Sequence, residues 1–221
     1  MNINEIFLSI NGETTTSGEP TIFIRTFGCN LKCKYCDTIQ DTNDCKDMSL
    51  SQICREVDKL TVTKNINICI TGGEPMLRPE LTLDLIQDLN VRGYNNIQVE
   101  TNGSIELFRK HNNINNFKYI MDIKCPSSGE EDNNRYINLS NLTSEDEVKF
   151  VIADKVDFDF AMAVLTRFPT RAKVLLSPMF DENNKCHIGK DLVDWALDFP
   201  ILKLYRWRVQ VQLHKILGGV K

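Results

Sequence analysis

An α/β fold is predicted for the whole chain, residues 1–221, as a single domain with about six parallel strands and crossover helices. Short apolar runs alternate with amphipathic stretches along the chain. Each unusual motif falls directly after an apolar run, where parallel α/β folds carry their chemistry. A length of 221 residues, 42% hydrophobic and 25% charged, suits one self-supporting core.

The elements follow in order. TIFIRTFG, from Thr21, reads as a buried strand. LSQICREVDKL, from Leu50, reads as a helix, with Ser49 and Gln52 as its capping box. INICITGG, from Ile66, is a second strand; ELTLDLIQDLNVRG, from Glu80, is a helix stopped by Gly93. Four further strands are IQVETNG from Ile97, YIMDIK from Tyr119, EVKFVIAD from Glu147 and AKVLLSPM from Ala172. Helical segments are expected near 104–112, 155–168 and 189–199. Residues 127–144 are polar and aperiodic and read as a long loop or lid. The tail YRWRVQVQLHK reads as a short strand and a closing segment, with Val209 and Val211 on one face and Arg208, Gln210 and Gln212 on the other. Six strands are too few for a complete eight-fold barrel.

A formal net charge of −4 provides no basic field, so binding to nucleic acid is not indicated. No stretch approaches the roughly 18 apolar residues of a membrane span. The start MNINEIFLSINGE lacks the basic-then-apolar order of a secretory signal, and a cytoplasmic location is expected. In that reducing compartment the eight cysteines are thiols or metal ligands rather than disulfides.

Three of them cluster as Cys29-x3-Cys33-x2-Cys36. Thiolates are the usual ligands of iron–sulfur clusters, and three leave one iron of a [4Fe–4S] centre open. Structural zinc is the alternative, but it wants four closed ligands, and neither Cys45 nor a histidine stands at a zinc-finger spacing. Cys54 and Cys69 read as core residues.

The cysteine loop, with Tyr35 before its last cysteine, and the segment Gly72-Gly73-Glu74-Pro75 together resemble the radical S-adenosylmethionine (SAM) superfamily. The resemblance implies a partial (β/α) barrel, a [4Fe–4S] cluster on Cys29, Cys33 and Cys36, and SAM chelated to the open iron. A finer resemblance is to the 7-carboxy-7-deazaguanine synthase family. It is carried by NEIFLSINGE, by IFIRTFGCNLKC with Arg25, by Asp37-Thr38, by ITGGEP and by RVQVQLHK.

That resemblance implies roles residue by residue. Ile10, Asn11, Gly12, Arg25 and Thr71 would meet the substrate. Gly73, Glu74, Lys124, Cys125, Pro126 and Ser177 would meet SAM, and Thr38 would bind Mg2+; by its own chemistry Asp37 reads as a metal ligand, direct or through water, or equally as a loop cap. Glu100 would bind the SAM ribose or anchor a turn. His214 and Lys215 are substrate ligands or exposed tail. The substrate implied is 6-carboxy-5,6,7,8-tetrahydropterin, the product 7-carboxy-7-deazaguanine with loss of ammonia. An external electron donor such as flavodoxin and a homodimer are implied as partners. The family's opening Gly-Glu-Gly is here Gly12-Glu13-Thr14. Apart from the resemblance, an arginine in an apolar strand needs a specific partner, because buried charge is costly unless paired. Competing readings are a radical-activating enzyme acting on a partner protein, and a non-enzymatic iron–sulfur or zinc module.

Overall fold

The computed structural model describes residues 1–38, 45–108 and 116–218. Strand β1 (Asn2–Ile10) pairs antiparallel with β2 (Pro20–Thr26) and with the two-residue β3 (Lys46–Asp47). Then come β4 (Asn67–Gly72), β5 (Asn96–Thr101), β6 (Phe117–Ile123), β7 (Glu147–Ile152), β8 (Lys173–Pro178) and β9 (Trp207–Val209). They form one sheet in the order β3-β1-β2-β4-β5-β6-β7-β8-β9, parallel from β2 onward. The six expected parallel strands are present; β9 adds a seventh, and β1, not foreseen, borders them antiparallel.

Strand side chains alternate between two faces. One set, including Ile22, Ile24, Ile68, Ile70, Val99, Met121, Phe150 and Leu176, is fully buried in the core. The core also takes in Ile53 and Val57 of α1 (Leu50–Leu60), Leu85 and Leu89 of α2 (Pro79–Val91), Phe158 and Leu165 of α3 (Lys155–Arg167), and Leu192 of α4 (Gly189–Asp198). The other set, with Arg25, Thr71, Glu100, Asp122, Lys149 and Val151, lines a cavity. Strands as far apart in the sheet as β2 and β7 share that cavity, so the sheet curls around it as a partial barrel.

Local signals act as expected at α1. Gln52 N donates to Ser49 Oγ at 3.3 Å and Ser49 N donates back to Gln52 Oε1 at 2.8 Å, the two halves of a capping box. Past α2, Gly93 takes φ +93°, a left-handed stop.

Three expectations are corrected. Residues 104–108 are not helical; the rest of the segment expected near 104–112 lies outside the described residues. The reason is Asn138, whose Nδ2 donates to Gly103 O and Ile105 O and whose Oδ1 accepts from Leu107 N, satisfying backbone groups a helix would otherwise pair. The stretch 127–144 is no open lid. It packs as 3-10 turns at Pro126–Ser128, Glu131–Asn133 and Tyr136–Asn141, with Asn138 and Leu139 buried. The tail alternation fails after β9: Gln210 is buried and Val211 exposed, because Gln210 N still bonds Leu176 O while the strand itself ends at Val209. Among the described residues no helix is long and apolar enough to cross a membrane.

Candidate active site

The cavity is about 490 Å³ and opens at the C-terminal ends of β2, β4, β5 and β6. Cys29, Cys33 and Cys36 line it, all three free thiols, with Cys29 and Cys36 exposed. The loop that carries them is braced from the segment after β6: Lys34 N donates to Ser128 O at 3.0 Å and Lys32 N to Glu130 Oε1 at 2.7 Å. Asn102, after β5, donates from Nδ2 to Asn30 Oδ1 at 3.0 Å. A loop held at both flanks presents its thiols in one place.

Gly72 closes β4 at φ +126°, where a Cβ would lie 2.2 Å from Thr26 O, so only glycine permits the approach of β4 to β2. Gly73 follows on the cavity wall. Glu74 turns away from it. Its carboxylate accepts from Thr101 Oγ1 at 2.7 Å, Asn102 N at 2.6 Å and Met76 N at 2.8 Å, a clamp joining the ends of β4 and β5. Burial pushes Glu74 above the usual carboxylate range against those three donors.

Of the residues expected at the site, Ile10, Asn11, Gly12, Arg25, Thr38, Thr71, Gly73, Glu100, Lys124, His214 and Lys215 meet around this one cavity. Glu74, Cys125, Pro126 and Ser177 are not brought to its lining. Cys125 is fully buried, its thiol directed at Ile123 O, 3.9 Å away, and Ser177 is buried in β8.

The charges are paired. Arg25 Nε donates to Glu5 Oε1 at 2.9 Å, and its guanidinium sits 5.6 Å from the Phe7 ring centre. Glu100 accepts from Thr71 Oγ1 at 3.0 Å; burial raises its pKa and the Lys149 ammonium opposes this. Lys149 Nζ reaches Glu13 Oε2 at 2.6 Å and Asp122 Oδ1 at 3.3 Å, and Asp122 Oδ2 holds Lys124 Nζ at 2.7 Å. Burial works against the charge on Lys149, but Asp122, Glu13 and Glu100 together keep its pKa well above the ordinary value. Sequence reading missed Lys149, Asp122 and Glu13. The available signal for the first two was a pair of charges at alternate positions in otherwise apolar runs, Glu147 and Lys149 in EVKFVI and Asp122 and Lys124 in YIMDIK; Glu13 lies in neither run.

Both chain ends contribute. Leu213 N donates to Gly12 O at 2.8 Å and Gln212 Nε2 to Glu13 Oε1 at 2.5 Å, so α5 (Leu213–Ile216) is tied to the turn after β1. Lys215 Nζ lies 3.4 Å from Asp37 Oδ2, beside Thr38. Thr14, where the resembled family has glycine, takes φ +68° and is held by Asn11 Nδ2 at 3.1 Å and Thr16 Oγ1 at 3.0 Å. That left-handed backbone accounts for glycine as the easier residue there.

Soft thiol donors suit iron–sulfur ligation. Cys29, Cys33 and Cys36 all line the one cavity that also carries Gly73. The residues present fit a cluster with SAM beside it.

The model of the radical SAM superfamily matches residues 23–188, and the chain belongs to that superfamily of enzymes, which implies a [4Fe–4S] cluster and SAM. More narrowly, it belongs to the 7-carboxy-7-deazaguanine synthase family. A curated member from Methanospirillum hungatei is 39% identical over 99% of this chain and 86% of its own length. Others are from Clostridium acetobutylicum, 34% identical over 96% and 94%, and Koribacter versatilis, 33% identical over 98% and 96%. The crystal structure of QueE from Escherichia coli superimposes with a TM-score of 0.67 at 20% identity, covering 95% of this chain and 93% of that one, a likeness of fold.

Proposed function

We propose that this chain converts 6-carboxy-5,6,7,8-tetrahydropterin to 7-carboxy-7-deazaguanine with loss of ammonia, as a radical SAM lyase of 7-deazapurine (queuosine precursor) biosynthesis. The observation that carries the reading is that similarity to curated synthases of that name runs end to end, and that both ends of the chain meet in the cavity beside the cysteine loop.

Bound at Cys29, Cys33 and Cys36, a reduced cluster with SAM would supply one-electron chemistry that starts hydrogen abstraction. The chain's own residues do the rest by placement. Arg25, anchored on Glu5, presents its remaining N–H groups to a carboxylate. Asn11, Gly12, Thr71 and His214 offer a rim for a planar, donor-rich ring. Glu100, with one hydroxyl partner and a raised pKa, is suited to meet a ring or ribose donor. Gly73 and Lys124 stand on the side of the cysteine loop and would flank SAM. The curled sheet and the tail exclude water.

Thr38 and Asp37 provide oxygen donors on the cavity wall for Mg2+, a hard cation that keeps several waters. A flavodoxin-like donor would approach over the exposed Cys29 and Cys36. A homodimer is supported by exposed apolar residues such as Leu204, and a cytoplasmic location by free thiols.

The test is anaerobic reconstitution with iron and sulfide, followed by SAM, reductant, Mg2+ and the carboxytetrahydropterin, with products read by mass spectrometry. The deazaguanine carboxylate is expected. 5′-Deoxyadenosine without it would overturn the substrate. Thr38→Ala should weaken Mg2+ stimulation while iron content stays intact; full stimulation would remove Thr38 from the metal site.

A further inference from the structure

The turn after β1 runs across the interior of the curled sheet and touches strand starts on opposite sides of it. Thr15 N donates to Glu147 Oε2 at 3.1 Å, Thr16 Oγ1 reaches Gln98 Oε1 at 3.4 Å, and Glu19 Oε2 accepts from Asn67 Nδ2 at 2.7 Å. These anchors stand at or near the beginnings of β7, β5 and β4, so the turn spans the strand starts, and its Asn11, Gly12 and Glu13 floor the cavity at the end remote from the cysteine loop. Above that floor a line of polar contacts joins Gln212, Glu13, Lys149, Asp122 and Lys124. It begins in the C-terminal tail, passes through the turn after β1, crosses β7 and ends after β6.

Lys149 is the crossing point. It is 9% exposed, on the cavity face of β7, and its ammonium touches one acid from the floor and one from the β6 wall. Buried ion pairs add little net stability, and apolar replacements are often neutral, so holding up the core does not account for this one. Nor does the turn prefer its own shape: Thr14 sits at φ +68°, a region a β-branched residue enters only when its surroundings impose it.

We propose that Lys149 is a positioning residue: through Glu13 and Asp122 it locks the Asn11–Glu13 corner of the cavity to the wall that carries Lys124. The substrate side and the SAM side are thereby held at a fixed separation. The assignment of those two sides rests on the function proposed above, whereas the lock itself is a property of the chain.

The test uses Lys149→Met, Lys149→Arg, Glu13→Gln and the Lys149→Met/Glu13→Gln double variant, each as reconstituted holoenzyme. Iron content, KM and kcat for the carboxytetrahydropterin, and amide hydrogen exchange over residues 11–16 are measured. Lys149→Met should raise KM about tenfold or more with kcat changed far less, and speed exchange across 11–16 in protein without substrate. Glu13→Gln should do the same, the double variant should be no worse than the worse single one, and Lys149→Arg should restore part of both. Exchange unchanged in Lys149→Met would overturn the proposal even if KM rose, because the lysine would then be acting on substrate directly. Effects of the two single variants that multiply in the double one would also overturn it. If Lys149→Met does not fold, Glu13→Gln, which leaves Lys149 paired with Asp122, provides the same exchange readout. If wild-type enzyme makes no deazaguanine, the proposed reaction falls while the exchange experiment still decides the lock.

Discussion

Replacing Gly12 by alanine would place a methyl carbon 2.0 Å from Nδ1, 2.8 Å from Cγ and 3.1 Å from Cβ of His214. Carbon contacts settle at about 3.5–4.0 Å, so the imidazole must leave and the tail must move with it. The tail is held at that point by Leu213 N on Gly12 O and by Gln212 Nε2 on the Glu13 carboxylate. A neutral hydrogen bond contributes about 1 kcal/mol and one to a charged group about 1.5–3 kcal/mol, so Gly12→Ala should cost about 2–4 kcal/mol. It should also raise the substrate KM, since the displaced residues line the cavity. Urea denaturation measures the first effect and steady-state kinetics the second. Adding His214→Ala removes the two closest atoms and leaves only Cβ at 3.1 Å, which a small shift relieves. The double variant should therefore recover at least half of the lost stability. Wild-type stability in Gly12→Ala, or no recovery in the double variant, would refute the packing of His214 on Gly12.

Two further outcomes follow from buried charge. Glu147 is fully buried and accepts from Lys118 Nζ at 2.6 Å and from Thr15 N and Oγ1, so Lys118→Met, which leaves the carboxylate only its Thr15 donors, should destabilise by about 1.5–3 kcal/mol, and Lys118→Met/Glu147→Gln should recover part of that; equal melting of all three proteins would remove the pair from the account. Burial raises the pKa of Glu100 above its ordinary 4.5, with Lys149 opposing, so the folded chain holds this proton more tightly than the unfolded one. Its contribution is full below the unfolded value and is lost as pH rises through the folded value. Glu100→Gln should then melt higher than wild type near neutrality, with the gap closing toward pH 4.5, and thermal melts across that range check it. A gap independent of pH would assign the gain to something other than the titration.

How much was legible beforehand differs by element. The parallel strands, the α1 capping box and the helices at Lys155–Arg167 and Gly189–Asp198 were readable because period and capping are local. Strand β1 was not, since its run mixes polar and apolar residues at the sheet's antiparallel border. The start of the helix expected near 104–112, residues 104–108, was overruled by one side chain, Asn138, from more than thirty positions away; the remainder lies outside the described residues. At the site, motif residues such as the cysteine loop and Gly73 announced themselves, but Glu74 and Cys125, named with them, turn inward for packing and hydrogen bonds.

By itself the sequence determined the order of the parallel strands and of α1 to α4, the three clustered thiols and the resemblance that names the chemistry, because each is encoded within a few neighbouring residues. The tertiary structure alone decided which charges face one another. Lys149 meets Glu13 across 136 positions, and Gln212 meets Glu13 across 199. No local pattern specifies such pairs: they exist only once the sheet has curled and brought the first turn of the chain and its tail to the same cavity.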